Sequence, residues 1–118
     1  MGYMRHDAIV VTSWKSEAIE AAASKARECG LEVIGPSNET INGIRTLLVC
    51  PDGSKEGWDV SNAFNAKRAE YLKYLNGIRY EDNSSCLEWV ALSYGMDDRA
   101  AKITADAWQF HLRDEEQS

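Results

Sequence analysis

A short β-branched run, Ala8-Ile9-Val10-Val11-Thr12, is flanked by His6-Asp7 on one side and Ser13 on the other, which predicts a buried strand. Ile19, Ala22, Ala23 and Ala26 then recur at three- and four-residue spacing. That spacing predicts a helix from about Trp14 to Cys29, with Ser13 as its cap and Gly30 as the left-handed residue that ends it. Leu31-Glu32-Val33-Ile34 reads as a second strand stopped by Gly35-Pro36, and Ile44 to Cys50 as a third. The turn-rich connector Ser37 to Gly43 joins these two strands as a hairpin. From Asp59, a good N-cap, the positions Val60, Phe64, Tyr71, Leu72, Leu75 and Ile78 mark one face of a second helix that closes near Asn76-Gly77. Leu87 to Tyr94, closed by Gly95, reads as a fourth strand.

The order β-α-β-β-α-β predicts an α+β fold of the ferredoxin-like type, a four-stranded antiparallel sheet with two helices on one face. The whole of residues 1–118 is expected to be a single domain. Its core spans 7–95, a C-terminal extension 96–112, and a charged tail 113–118. The extension is ambiguous. Ala101, Ile103, Ala105 and Ala107 alternate as in a strand, while Ala100, Ile103, Ala107 and Phe110 fit a helical stripe, so an edge strand, a helix and a swapping arm all satisfy it. Apolar residues fall on both faces of the first and third strands, which predicts that the sheet face without helices is covered by the extension, by a ligand or by a second copy of the chain. A homo-oligomer is the expectation.

Composition narrows the partners. With 19 acidic against 13 basic residues the formal charge is -6, a field that repels a phosphate backbone. The third strand also lacks the aromatics with which RNA-binding domains of this topology stack bases, so nucleic acid is disfavoured. No apolar run approaches the ~20 residues of a bilayer span, and no export signal follows Met1, so neither membrane insertion nor export is expected. Cys29, Cys50 and Cys86 are odd in number and lack Cys-x-x-Cys spacing, which argues for reduced thiols and a cytoplasmic setting. Neither metal nor cofactor is expected.

Chemistry-bearing residues are sparse. In the expected topology one end of the sheet gathers His6-Asp7, the loop Pro51 to Trp58 and the stretch Tyr94 to Arg99. Gly53, Ser54 and Lys55 precede a helix and could offer N–H groups, a hydroxyl and an ammonium to an anion, with Trp58 and Arg99 as further contacts. These five are the candidate ligand-binding residues, for a small anionic ligand such as a nucleotide signal. The phosphate-loop spacing Gly-x-x-x-x-Gly-Lys is absent, and Asp52, Glu56 and Asp59 oppose a phosphate, so a polar turn with Asp59 as cap is the competing account. His6 with Asp7 can be drawn as an acid and base, but no nucleophile or oxyanion arrangement accompanies them and no catalytic residue is assigned. Of Trp14, Trp58, Trp89 and Trp108, three lie at element boundaries or in the tail, as interface anchors do.

The blocks His6 to Trp14, Asn42 to Arg45, Pro51 to Trp58, Arg79 to Asp82 and Leu87 to Val90 with Tyr94-Gly95 resemble a family of small uncharacterised phage and prophage proteins, over residues 6 to 95. The resemblance implies a viral accessory protein in a host bacterial cytoplasm. It brings no activity and no functional residues. Small size, acidic charge and missing catalytic groups together favour a non-catalytic protein that binds a host protein, over sequestration of a small anion and over an enzyme.

Overall fold

The computed structural model describes residues 3–4, 6–53, 55–56, 59–78, 87–95 and 98–107, with 3–4, 55–56 and 98–100 described in their backbone only. In chain order the elements are β1 (Tyr3–Met4), β2 (His6–Ser13), α1 (Ser16–Glu28), β3 (Val33–Ile34), β4 (Arg45–Val49), β5 (Lys55–Glu56), α2 (Asp59–Gly77), β6 (Glu88–Gly95) and β7 (Asp98–Asp106). Five strands form one antiparallel sheet in the order β3-β4-β2-β6-β7, and β1 pairs with β5 in a separate two-residue ladder. The expected four-stranded sheet is therefore corrected to five. The extra strand comes from the ambiguous extension, whose residues Asp98–Asp106 pair with β6 across a register shift near Ala91 and Leu92. Alternation prevails over the helical stripe there because the free edge of β6 supplies ladder hydrogen bonds that an isolated helix would forgo.

The period of two along each strand sorts the sheet into two faces. Ile9 pairs with Val49 and Ala91, Val11 with Leu47 and Trp89, and all six are buried. Onto this face α1 sets Ile19, Ala22, Ala23 and Ala26, and α2 sets Tyr71 and Leu75, closing one hydrophobic core. The four α1 residues are those of the expected stripe. Three are alanines, so the helix backbone can approach the sheet closely.

Helix ends follow local chemistry. The α1 terminus is a Schellman motif: Gly30 N–H donates to the Arg27 carbonyl at 2.9 Å and Leu31 N–H to the Ala26 carbonyl at 3.0 Å. Gly30 takes φ +87°, the left-handed region where a side chain is strained. At the other end Ser13 does not cap the helix. Its hydroxyl accepts from Lys15 N–H at 3.0 Å, shaping the turn, and the N-cap position falls on Lys15, which makes no side-chain cap bond. Along α2 the expected face holds at Tyr71 and Leu75, which are buried, and at Phe64, Leu72 and Ile78, which pack against the core; Val60 is 53% exposed, and Ser61 and Arg68 join the buried side.

Tyr71 lies at the centre of the core and donates its hydroxyl to the Ala22 carbonyl at 2.9 Å, linking the two helices. Burial, assisted by Tyr74 and Cys29, pushes its phenol well above the ordinary value of 10. The unfolded phenol ionises near pH 10 while the folded one stays protonated, so this group leaves stability intact below that pH and erodes it as pH rises from there toward the folded value. Tyr71→Phe is expected to cost about 1 kcal/mol at pH 8 through the lost hydrogen bond, and to lose less stability than the parent between pH 9 and 11. Urea unfolding at the three pH values checks this. Parallel losses in both proteins would show that Tyr71 does not couple folding to alkaline pH.

Candidate functional site

The His6 end of the sheet carries the one buried ionic cluster among the described residues. Strand direction gathers it: β2 begins there with Asp7, β4 ends there and runs through Pro51 into Asp52, and α2 crosses above. Arg68, 6% exposed, projects from the middle of α2 into this corner. Its Nη1 donates to Asp52 Oδ1 at 2.8 Å and its Nη2 to Asn65 Oδ1 at 2.6 Å. Asp7 Oδ2 stands 3.7 Å from Nη2, an ion pair too long for a hydrogen bond. The Asp52 side chain is 8% exposed, so the Arg68–Asp52 contact is charge-assisted and shielded from solvent.

Beside the cluster lies a cleft of about 260 Å³ between α2 and the sheet. Its α2 wall includes Asn65, Arg68, Ala69 and Leu72; its sheet wall includes Asp7, Ile9, Ala91 and Thr104. Thr104 Oγ1 donates to the Ala91 carbonyl at 3.2 Å, closing the irregularity between β6 and β7. Ser93 pairs in register with Asp7 and is 2% exposed, and its Oγ finds no hydrogen-bond partner.

The sequence-derived candidates share this end of the molecule in part. Gly53 follows Asp52 and takes φ +81° with open space where a Cβ would stand, so it serves the turn. Lys55 lies in β5, and Arg99 in β7 next to Asp98, which pairs with Gly95 at the same end as His6. Both are described in their backbone only. Because β4 and β7 are separated by β2 and β6, three strand spacings of about 4.8 Å, roughly 14 Å of sheet lies between them. Ser54 and Trp58 lie outside the described residues, as do Cys86, Trp108, His111 and Tyr80 to Asn83.

His6 stacks at a tilt on Tyr94, with ring centroids 5.4 Å apart, on the face opposite the helices. A Cβ added to Gly95 would fall 2.5 Å from its Cδ2, so Gly95, at φ +101°, is kept open by the imidazole. Asp7 points to the other face, and no acid–base pair forms between these neighbours. Among the described residues no group of three His, Cys, Asp or Glu side chains could hold a metal ion. Cys29 is an ordinary thiol with its pKa raised, by burial first and by Glu70 and Glu28, against a lowering by Lys25, so it stays protonated at neutral pH. Trp89 is core at 2% exposure and Trp14 is 61% exposed.

Sequence reasoning missed Arg68. The signal was present: Arg68 sits four residues after Phe64 and three before Tyr71, inside the buried stripe of a helix, where a charge needs a partner. No protein-family model, curated protein or solved structure matches the chain.

Arg68→Met is expected to destabilise the fold by about 3–5 kcal/mol, because the buried Asp52 carboxylate would lose the guanidinium that donates to it at 2.8 Å. Adding Asp52→Asn should recover part of that loss. Urea denaturation of the single and double variants checks it, and a loss under 1 kcal/mol for Arg68→Met would rule out the cluster as a clamp.

Proposed function

We propose that the chain is a non-catalytic binding protein whose working surface is the sheet face without helices. The observation that carries this reading is a continuous apolar row across four strands. Ile34 pairs with Leu48, Leu48 with Val10 and Val10 with Val90, and the next row adds Leu92 and Ile103. Ile34 and Ile103 are 62% and 65% exposed. Thr12 and Thr46, hydrogen-bonded through their hydroxyls at 2.9 Å, and Glu88 form a polar border. Around Val10 and Val90 the face dips into a hollow of about 220 Å³. Apolar rows with a polar border are the anatomy of a protein-binding surface.

The occupant proposed for this face is a second copy of the chain. Five strands about 4.8 Å apart and about seven residues of shared length give roughly 500 Å² per protomer, close to 1,000 Å² for a pair. That area lies at the small end of specific interfaces, so the dimer should dissociate in the micromolar range. The β-α-β-β-α-β portion, β2 to β6, supports the ferredoxin-like reading, with β7 as an added edge strand. The resemblance to phage proteins makes a host bacterial cytoplasmic protein the target of the assembled form. No helix among the described residues is long and apolar enough to cross a membrane. A second reading, a small anion held by Gly53, Ser54, Lys55, Trp58 and Arg99, is favoured by the backbone placement of Gly53, Lys55 and Arg99 at one sheet end and opposed by the carboxylates of Asp7 and Asp52 there.

Light scattering on a size-exclusion column between 5 and 200 µM tests the proposal. The expected result is a concentration-dependent dimer that Ile103→Lys shifts to monomer at least tenfold, with an unchanged circular dichroism spectrum. A monomer at every concentration would overturn it, and so would a dimer indifferent to Ile103→Lys.

A further inference from the structure

The apolar rows of the open face end in different chemistry at their two borders and, given the dimer proposed above, that difference decides how the second copy lies. At one border Thr12 pairs with Glu88 and with Thr46. The two threonine hydroxyls bond each other at 2.9 Å, so the exposed Glu88 carboxylate is the charged acceptor of that border. At the other border His6 pairs with Tyr94, whose side chain is 38% exposed and carries a phenol that can donate. Six residues of β6 separate Glu88 from Tyr94, about 20 Å of strand at 3.3 Å per residue.

The relief of the face follows the same division. Beside Glu88 it is hollow: Val10, Thr12, Glu88 and Val90 line the depression of about 220 Å³, larger than the ~150 Å³ cavity that takes up benzene and so wide enough for an aromatic ring. Beside Tyr94 it projects. The Tyr94 ring leans on the imidazole of His6, with centroids 5.4 Å apart, and the imidazole in turn lies against Gly95, where a Cβ would fall 2.5 Å from its Cδ2. The ring is therefore supported before any partner arrives, and little side-chain freedom is left to lose.

Two symmetric arrangements stack a pair of such sheets with their strands aligned. A two-fold axis along the strands lays each border over the same border of the partner, hollow row on hollow row and Tyr94 row on Tyr94 row. An axis across the strands lays the Glu88 border over the Tyr94 border, and does so twice.

We propose that the two-fold axis of the dimer runs across the strands, and that Tyr94 of each copy enters the hollow of the other and donates its hydroxyl to Glu88 there. The body of the ring covers Val10 and Val90 while its polar end meets the carboxylate at the rim, which suits a side chain that is apolar along its length and polar at its tip. A tyrosine seated in a partner's depression is the kind of anchor on which a small interface depends.

Light scattering between 5 and 200 µM, with circular dichroism as the check on folding, tests the arrangement through variants at two exposed positions. Tyr94→Glu sets a second carboxylate against Glu88 and is expected to weaken the dimer at least tenfold. Adding Glu88→Arg to that chain should return the dissociation constant to within about threefold of the parent, whereas Glu88→Arg alone should give no gain. Within one protomer the two positions are too far apart to touch, so recovery can come only from across the interface. A Tyr94→Glu variant that dimerises like the parent, or a double variant no tighter than Tyr94→Glu, would overturn the arrangement while the parent dimer, read in the same runs, stands. An equal gain from Glu88→Arg alone would do the same. A parent that stays monomeric overturns the dimer and this arrangement with it.

Discussion

A buried guanidinium needs compensation from every side, and in this chain that need decides how the second helix lies on the sheet. Arg68 cannot be neutralised by losing its proton, so the fold must bring carboxylates to it. Asp52 arrives on the chain leaving β4, Asp7 on the chain entering β2, and Asn65 from the preceding turn of α2. Three separate stretches are fixed relative to one another by one side chain. The apolar contacts of Tyr71 and Leu75 would permit α2 to slide along the sheet by a small amount at modest cost, but the two short hydrogen bonds at Arg68 would not. Buried pairs of this kind add little net stability against a well-packed apolar alternative, and the better account of Arg68 is that it selects one arrangement of α2.

The same geometry explains why the two sheet faces differ so much in polarity near the His6 end and so little elsewhere. Alternation sends Asp7 and Ser93 under α2 and sends His6 and Tyr94 to the open side. Further along, both faces are apolar: Ile9 and Val11 under the helices, Val10 and Val90 away from them. An ordinary half-buried antiparallel sheet would place polar side chains at the latter positions. Two threonines and Glu88 do so at the far border, which confines the apolar rows to the middle of the face and gives them the outline of a contact area.

Much of the architecture was legible in the chain because short-range rules governed it. The α1 stripe, the Gly30 terminus, the start of α2 at Asp59 and the strands around Ile9, Leu47 and Trp89 follow from periodicity and backbone preference alone. Where two patterns coexisted, tertiary context decided. Residues 98–106 satisfied both a strand and a helix, and only the open edge of β6 selected the strand. Ser13 looked like a cap, yet its hydroxyl closes a turn two residues on, because β2 continues through Ser13 and the chain needs Trp14 and Lys15 to change direction.

The site was less legible for a reason that is physical rather than statistical. A charged residue inside a helix reads as solvent-facing unless its partners are known, and those of Arg68 lie 16 and 61 positions away, in elements whose registry is settled only when the sheet forms. Reading α2 for apolar residues alone finds Phe64, Tyr71, Leu72, Leu75 and Ile78, adds the exposed Val60, and omits Ser61 and Arg68. The first half of α2 packs through Phe64 beside the polar Ser61 and Arg68, and the second half through Tyr71, Leu72 and Leu75, so the hydrophobic stripe thins toward the end of the helix where the ionic corner lies. A fading stripe on a helix that still packs against a sheet implies buried polar groups at the faded end, and those groups must find partners on the strands beneath.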